Sequence, residues 1–404
     1  MMKTRVVQKR ILWTILLVTV YFLGQFIIIP FIKPHVAAKY LQANTLIEVL
    51  GMYTGAQTSR PALLMLGIGP YMTTNIILQA INSLDLKSLR QIPQHTIDIF
   101  TNFVSLIVGI LQAFLYVVNF KQALMPVYFL GTDISFALTI LLLVTGGMIS
   151  IFLANVITER GIGSSAVLLV PQLVLSLPSL ITKGWGTTKF HFTVINTMVV
   201  ILIALVIVVV GVILIHAEER IPLSDPQLSS RFAQSYFPIK LLTAGSMPFM
   251  FSTSVFMLLP MLVKHSSFEL KDTIYQLISI NRPSGIIFYA LVIVILNFVF
   301  GMITLQPSIK ARKLKENGNY FYHVIPGTKT EQFIMQKFKR LTWVSSLIIV
   351  AISVWPLVLG LWWPSWANLT PFIGNLFILL TIIYMIEQEY QTLDSEHLYV
   401  IDLK

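Results

Sequence analysis

Long uncharged apolar runs alternate along this chain with short polar, often basic, segments. A helix needs about 20 mostly apolar residues to cross a bilayer core. Ten runs approach or reach that length: residues 11–32, 62–84, 97–119, 134–156, 164–182, 192–216, 241–263, 284–306, 341–363 and 366–386. The pattern predicts an all-α membrane protein with ten transmembrane helices. The first run follows MMKTRVVQKR, is longer than a signal-peptide core, and stops at Lys33-Pro34 rather than at a small-residue cleavage site. It is expected to stay as a span. The spans divide five and five at the 184–191 connection. This suggests an N-terminal half over 1–183, a C-terminal half over 192–386 and a tail over 387–404, since transport folds are often built from repeats.

The second run does not read as an anchor. From Gly51 to Ile81 the sequence is GMYTGAQTSRPALLMLGIGPYMTTNIILQAI, with Gly67, Gly69 and Pro70 inside the apolar stretch and Thr73, Thr74, Asn75 and Gln79 after it. Broken, polar-spotted helices at membrane depth are tolerated where they line a cavity, not where they face lipid. The stretch points to a conduit with a mobile piece beside it.

Composition agrees with a membrane chain: 56% of residues are hydrophobic and 11% charged, against about 25% charged in a soluble domain. The net charge of +11 reads as topology rather than nucleic-acid binding. With the N-terminus inside, nineteen of the 28 Lys and Arg fall on cytoplasmic segments, which places both termini in the cytoplasm. Two of those segments, 217–240 and 307–340, are long enough to be more than connectors. The second sets eight positive charges against Glu316 and Glu331. It reads equally as a solvated or lipid-facing loop and as a docking surface for a soluble partner. With zero cysteines there is neither a disulfide framework nor a thiolate metal site.

The spans lack the groups that ion-coupled transporters and selective ion channels use. None of the apolar cores contains Lys, Arg or Glu, and the single Asp, Asp98, lies at an interfacial end. What they contain is neutral polarity, including Gln112, Gln172, Ser252 and Asn297. Taken singly, such residues are helix–helix hydrogen bonders. As a set they suit a path that passes varied cargo without holding it. Gly161 to Ala166 fits G-x-G-x-x-A, but it follows a membrane span and not a β-strand, so a dinucleotide site is not expected. The seven histidines are scattered without ligand spacing. No cofactor and no catalytic constellation are expected, and any ATP-driven work falls to another protein.

Five motifs, in order on ten spans, resemble the SecY family of protein-conducting channels. They are Leu66-Gly67-Ile68-Gly69-Pro70-Tyr71-Met72, Ile157 to Gly163 (ITERGIG), Arg220-Ile221-Pro222, Pro238-Ile239-Lys240 with Ala244-Gly245 and Met247-Pro248, and Gln306-Pro307 with Gly318 and Pro326-Gly327. The departures are specific. Ile325 stands where the family has Arg in PGIRPG, Leu242 where it has Asn, and Glu219 where it has the first Arg of RRIP. This pattern, with trimmed loops, is most similar to the accessory SecY-type translocases of Gram-positive bacteria.

The resemblance implies two pseudo-symmetric five-helix halves around an hourglass channel in the bacterial cytoplasmic membrane. It implies an apolar waist ring of Ile68, Met72, Val170, Val174, Met250 and Ile378. The plug would be Gly51, Met52, Tyr53, Thr54, Gly55, Ala56, Gln57, Thr58, Ser59 and Arg60. Lateral-gate candidates are Thr73, Asn75, Gln112, Leu242 and Ser252. Motor-contact candidates are Arg220, Arg231, Lys240, Lys310, Arg312, Lys313, Lys315 and Ile325. Implied partners are an accessory SecA-type ATPase motor, a SecE-like small membrane subunit, other small accessory Sec proteins, membrane lipids and an unfolded preprotein. The cargo class implied is large serine-rich glycoprotein adhesins, and no nucleic acid is involved. The alternatives are a housekeeping SecY and, more remotely, a small-solute secondary transporter.

Overall fold

The structure is a computed structural model that describes residues 2–43, 61–83, 93–129, 132–183, 185, 190, 193–224, 236–252, 255–256, 276, 278–279 and 282–396. Chain contacts divide it into two compact units. One comprises Met1–Leu78, Ile92–Leu177 and Ile382–Lys404, the other Gln79–Gln91 and Pro178–Thr381. The boundary in the fifth span falls at Pro178, inside the helix. A proline there removes an intrahelical N–H donor.

In the first unit, α1 (Met2–Gly24) leads to the short α2 (Pro34–Ala43). Then come α3 (Gly69–Ser83), α4 (Gln94–Asn119), the two-residue strands β1 (Tyr128–Phe129) and β2 (Thr132–Asp133), and α5 (Ser135–Arg160). α6 (Val170–Lys183) completes the run. α5 packs on both α1 and α4. The core joins Ile29, Ile32, Met65, Leu66, Val117, Phe120 and Leu143. Asp133 starts α5 by accepting the N–H of Ser135 at 2.9 Å and that of Val127 at 3.2 Å, so an otherwise unsatisfied first-turn donor has a partner.

In the second unit, α7 (Val194–His216) runs into β3 (Glu218–Ser224), followed by β4 (Tyr236–Lys240). Next are α8 (Pro283–Leu305), α9 (Pro307–Glu316), β5 (Tyr320–Phe321) and α10 (Thr328–Gly360). α11 (Leu369–Glu396) ends the described chain and contributes to both units. α8 packs along α10, where Asn297 donates to Ser345 at 3.0 Å and to Ser346 at 2.8 Å, all three buried. Small hydroxyl residues let the helices approach and supply the acceptors. α8 breaks from α9 at Gln306, whose left-handed φ of 48° is followed by Pro307 at the start of the new helix.

β4, β3 and β5 form an antiparallel sheet in that order. Glu218 pairs with Lys240 and Pro222 with Tyr236, while Leu223 and Ser224 pair with Phe321 and Tyr320. Alternation along the strands turns Ile221, Leu223 and Ile239 inward. There they meet Phe321, Ala311, Ile334 and Phe338 in a separate small core.

Among the described residues, eight of the ten predicted runs are helices long and apolar enough to cross a membrane. The second and seventh each open on a non-helical entry. Residues 61–68 are non-helical and α3 has only 15 residues. Residues 241–246 are likewise turns before a helical stretch at 247–252, and residues 257–275 lie outside the described set.

Candidate functional site

The second and seventh spans begin with the same backbone construction. Leu63-Leu64, Gly67, Pro70 and Met72 match Leu241-Leu242, Gly245, Pro248 and Met250 in spacing, with Tyr71 answered by Phe249 and Thr74 by Ser252. The geometry matches as well. Leu63 donates its N–H at 2.8 Å to Ile27, just past α1, and Leu241 donates at 2.8 Å to Ala217, just past α7. Ile28 bridges Ala62 as Glu218 pairs with Lys240. Gly67 and Gly245 have φ of 57° and 60°, a conformation glycine adopts without steric cost. Each turns its N–H to the carbonyl three residues earlier, Leu64 at 3.0 Å and Leu242 at 3.1 Å. Each proline then sits in the first helical turn, where a missing donor costs little. Thus a short strand-like entry, a left-handed glycine and a proline-started helix recur in both units.

This construction carries three of the six ring candidates, Ile68, Met72 and Met250. Ile68 is fully buried, and its carbonyl accepts the N–H of half-buried Met72 at 3.0 Å. The counterpart of Ile68 is Ser246, whose carbonyl accepts from half-buried Met250 at 3.4 Å. Phe249, next to Met250, stacks on Phe377, next to buried Ile378, with ring centroids 4.9 Å apart. The structure therefore brings the Met250 and Ile378 segments together within the second unit. Val170 and Val174 lie one turn apart on α6, half-buried and 50% exposed respectively. The plug candidates 51–60 lie outside the described residues, as does Arg231.

Among the gate candidates, Thr73 is satisfied within its own helix, donating to Gly69 at 2.9 Å, and buried Ser252 donates to Phe249 at 3.1 Å. Leu242 is buried at the turn of the seventh-span entry, and Asn75 and Gln112 are half-buried. The buried amide oxygen of Gln172 has no partner among the described residues.

The motor-contact candidates gather on and beside the β4-β3-β5 sheet. Arg220 bonds Glu218 at 2.8 Å, which holds its guanidinium above its ordinary pKa, and it lies over the Tyr236 ring, which adds to that. Lys337 on α10 bonds Glu219 of β3 at 2.5 Å, tying the hairpin to the helix. Glu219 thus has a use for its reversed charge that its position in the motif does not reveal. Arg312 pairs with Glu316 at 3.5 Å, and Ser308 donates to Glu331 at 2.7 Å. Lys310 lies 5.5 Å from the Phe237 ring. Burial pushes its ammonium below the ordinary lysine range, and the charges of Lys240 and Lys313 add to that. Burial lowers Lys240 too, with Glu218 opposing. Lys313 and Lys315 are exposed, and Ile325 is 63% exposed at the loop before α10. A cavity of about 220 Å³ lies between Glu219 to Pro222, Phe321, Phe333 and Lys337.

Two features were missed by sequence reasoning. The first is Gly146 on α5, whose missing side chain admits the Leu63 carbonyl; a Cβ there would lie 1.9 Å from that oxygen. The second is Glu389 on α11, which accepts the Gly163 N–H at 2.6 Å. Gly161 donates to Ile157 at 2.7 Å and Ile162 to the Thr14 hydroxyl at 2.8 Å. All three N–H groups of the G-x-G stretch are therefore occupied, so nothing remains to cradle a pyrophosphate. A glycine pair in a span and an acid in a tail carry no signal of their partners.

The family model described as SecY matches residues 62–387. A curated relative, the accessory Sec system protein translocase subunit SecY2 of Leuconostoc gelidum subsp. gasicomitatum, is 26% identical over 97% of this chain and 96% of its own. The protein translocase subunit SecY of Guillardia theta is 25% identical over 97% and 98%. A solved structure described as showing how the plug domain of the SecY protein maintains a membrane seal has 18% identity. Its TM-score is 0.60, and the match covers 98% of this chain and 95% of that one. The broken second and seventh spans, the eight long apolar helices and the match over most of the length converge: this multi-pass membrane chain belongs to the SecY family.

Proposed function

We propose that this chain is the central channel-forming subunit of an accessory Sec translocase. It conducts unfolded preproteins, of the serine-rich glycoprotein adhesin class, across the cytoplasmic membrane. Work is supplied by a dedicated SecA-type motor, and a SecE-like small subunit and other small accessory Sec proteins complete the complex. The observation that carries the reading is the repeated broken entry at Gly67 and Gly245, which delivers Met72 and Met250 at matching positions. Large apolar side chains at a narrow waist exclude ions by dewetting, and flexible methionines repack around varied cargo. In this reading Ile68, Met72, Val170, Val174, Met250 and Ile378 form the ring and residues 51–60 the plug. Signal sequences leave past Thr73, Asn75, Gln112, Leu242 and Ser252. The halves are 1–183 and 192–386, both termini are cytoplasmic, and the sheet with α9 faces the motor.

The test is ion conductance of the idle, reconstituted protein. Deleting 51–60, or changing Ile68 and Met250 together to Asn, should raise leakage, because polar groups let water wet the waist. Unchanged leakage in both variants removes the ring and plug assignments. The relatives include ordinary SecY subunits as well as accessory ones, so a housekeeping role is the second reading. Co-purification with the motor from native membranes separates the two.

A further inference from the structure

The connection from α5 into the fifth span is strained. Ser164 has φ of 60° and ψ of −175°, a combination that essentially only glycine adopts without cost. Its side chain makes no capping bond to the segment it precedes, so nothing local offsets the strain. The chain then runs through a 3₁₀ segment, Ser165–Leu169, before α6 begins at Val170. Runs of that length are uncommon because 3₁₀ hydrogen bonds are poorly aligned. A conformation of this kind persists only where the surroundings impose it.

Here the surroundings are α1 and α11. Thr14 of α1 accepts the Ile162 N–H at 2.8 Å. From the other side α11 grips Gly163 twice. A Cβ at Gly163, whose φ is 93°, would lie 2.5 Å from Cγ1 of Ile386, and Glu389, one turn further on, accepts the Gly163 N–H at 2.6 Å. Neighbouring polar groups on α11 bond along their own helix, Gln391 to Glu387 at 3.1 Å and Gln388 to Tyr384 at 2.7 Å. Glu389 instead reaches across 226 residues of chain. Beyond the 3₁₀ segment, α6 is interrupted at Pro178. Residues 165–177 are thus a short piece between two weak points. They carry Val170, Val174 and the buried Gln172 amide oxygen, which has no partner among the described residues. An unpaired buried acceptor costs free energy, so this feature too works against the held arrangement. We propose that Glu389 is a positioning residue that latches residues 165–177 in a strained arrangement, so that breaking its bond to Gly163 frees the piece as a unit. The latch stands on the geometry of the first unit alone, while its link to conduction rests on the reading of Val170 and Val174 as ring residues.

The test compares Glu389→Ala, Glu389→Gln and Ser164→Gly in the full chain, purified with whatever subunits accompany it and reconstituted in vesicles. Amide hydrogen exchange, read by peptide mass spectrometry, follows residues 163–169, and idle ion conductance is measured on the same samples. Losing a hydrogen bond to a charged acceptor should speed exchange of 163–169 in Glu389→Ala by roughly ten- to hundredfold. Glu389→Gln keeps an acceptor oxygen and should recover most of the protection. Ser164→Gly removes strain from the latched arrangement. It should slow exchange by itself and offset Glu389→Ala in the double variant, a rescue that a mere packing role for Glu389 does not give. Unchanged exchange in Glu389→Ala overturns the latch. A rise shared equally by the β4-β3-β5 sheet is global loosening and overturns it as well. Exchange unaffected by Ser164→Gly overturns the strain on which the latch acts. Idle conductance should rise in Glu389→Ala. If exchange responds as expected and conductance does not, the latch stands and the ring assignment of Val170 and Val174 falls.

Discussion

Gly146 and Gly147 are neighbours on α5, yet alanine should act oppositely at the two. A Cβ at position 146 would lie 1.9 Å from the Leu63 carbonyl oxygen and 2.7 Å from its carbon, both backbone atoms. At position 147 the nearest atom is Leu66 Cδ1 at 3.4 Å, an ordinary side-chain contact. Both substitutions gain about 1 kcal/mol of helix propensity. At 147 nothing opposes that gain, so Gly147→Ala should be neutral or slightly stabilising. At 146 the second-span entry must retreat by more than an ångström. It is held there by the Leu63 bond to Ile27 at 2.8 Å and by buried Met65 and Leu66. Overpacking against fixed atoms costs about 1–3 kcal/mol, which offsets or outweighs the propensity gain. Gly146→Ala should therefore come out at about 0–2 kcal/mol net destabilising. Thermal unfolding of the detergent-solubilised protein measures the pair side by side. If Gly146→Ala melts at or above Gly147→Ala, the close approach that builds the broken span is refuted.

Asn297→Ala removes two interhelical bonds between α8 and α10. It should cost about 0.6–2 kcal/mol, read as a lower melting temperature, while Ser345→Ala should cost less because Ser346 still accepts. Hydrogen bonds from Ser135, then Val127, hold the Asp133 carboxyl below its ordinary range. Its contribution is present above the unfolded-state pKa and is lost as pH falls through the lower folded value. Asp133→Asn should therefore flatten that part of the acid stability profile, and an unchanged profile removes the cap. Ile325 is exposed, so Ile325→Arg should leave stability unchanged while improving export with a housekeeping motor. Equal export with and without the substitution sinks the motor-choice role of this position.

Hydropathy alone was enough for the membrane class, for the places of eight of the spans, and for the interruption in the second. Hydropathy and the special backbone demands of glycine and proline are local properties, so residues 62–84 carry their own break. The two broken entries are also legible once the glycine, proline and methionine spacings are set side by side. The reason each break holds is not local. It depends on Gly146, far along the chain, leaving room for Leu63, and on the carbonyls of Ile27 and Ala217 being placed to accept.

The same limit applies to charge. Counting residues gives a basic 307–340 segment, but only the tertiary structure decides which acid meets which base. Glu219 looks like a lost arginine until Lys337 is found beside it. Glu389, in the tail over 387–404, closes onto Gly163 from the other end of the first unit's sequence. Sequence specifies which groups exist and which helices they ride on. The pairing of charges and the close approach of backbones follow from which elements pack together, and that is settled by long-range contacts that no local pattern encodes.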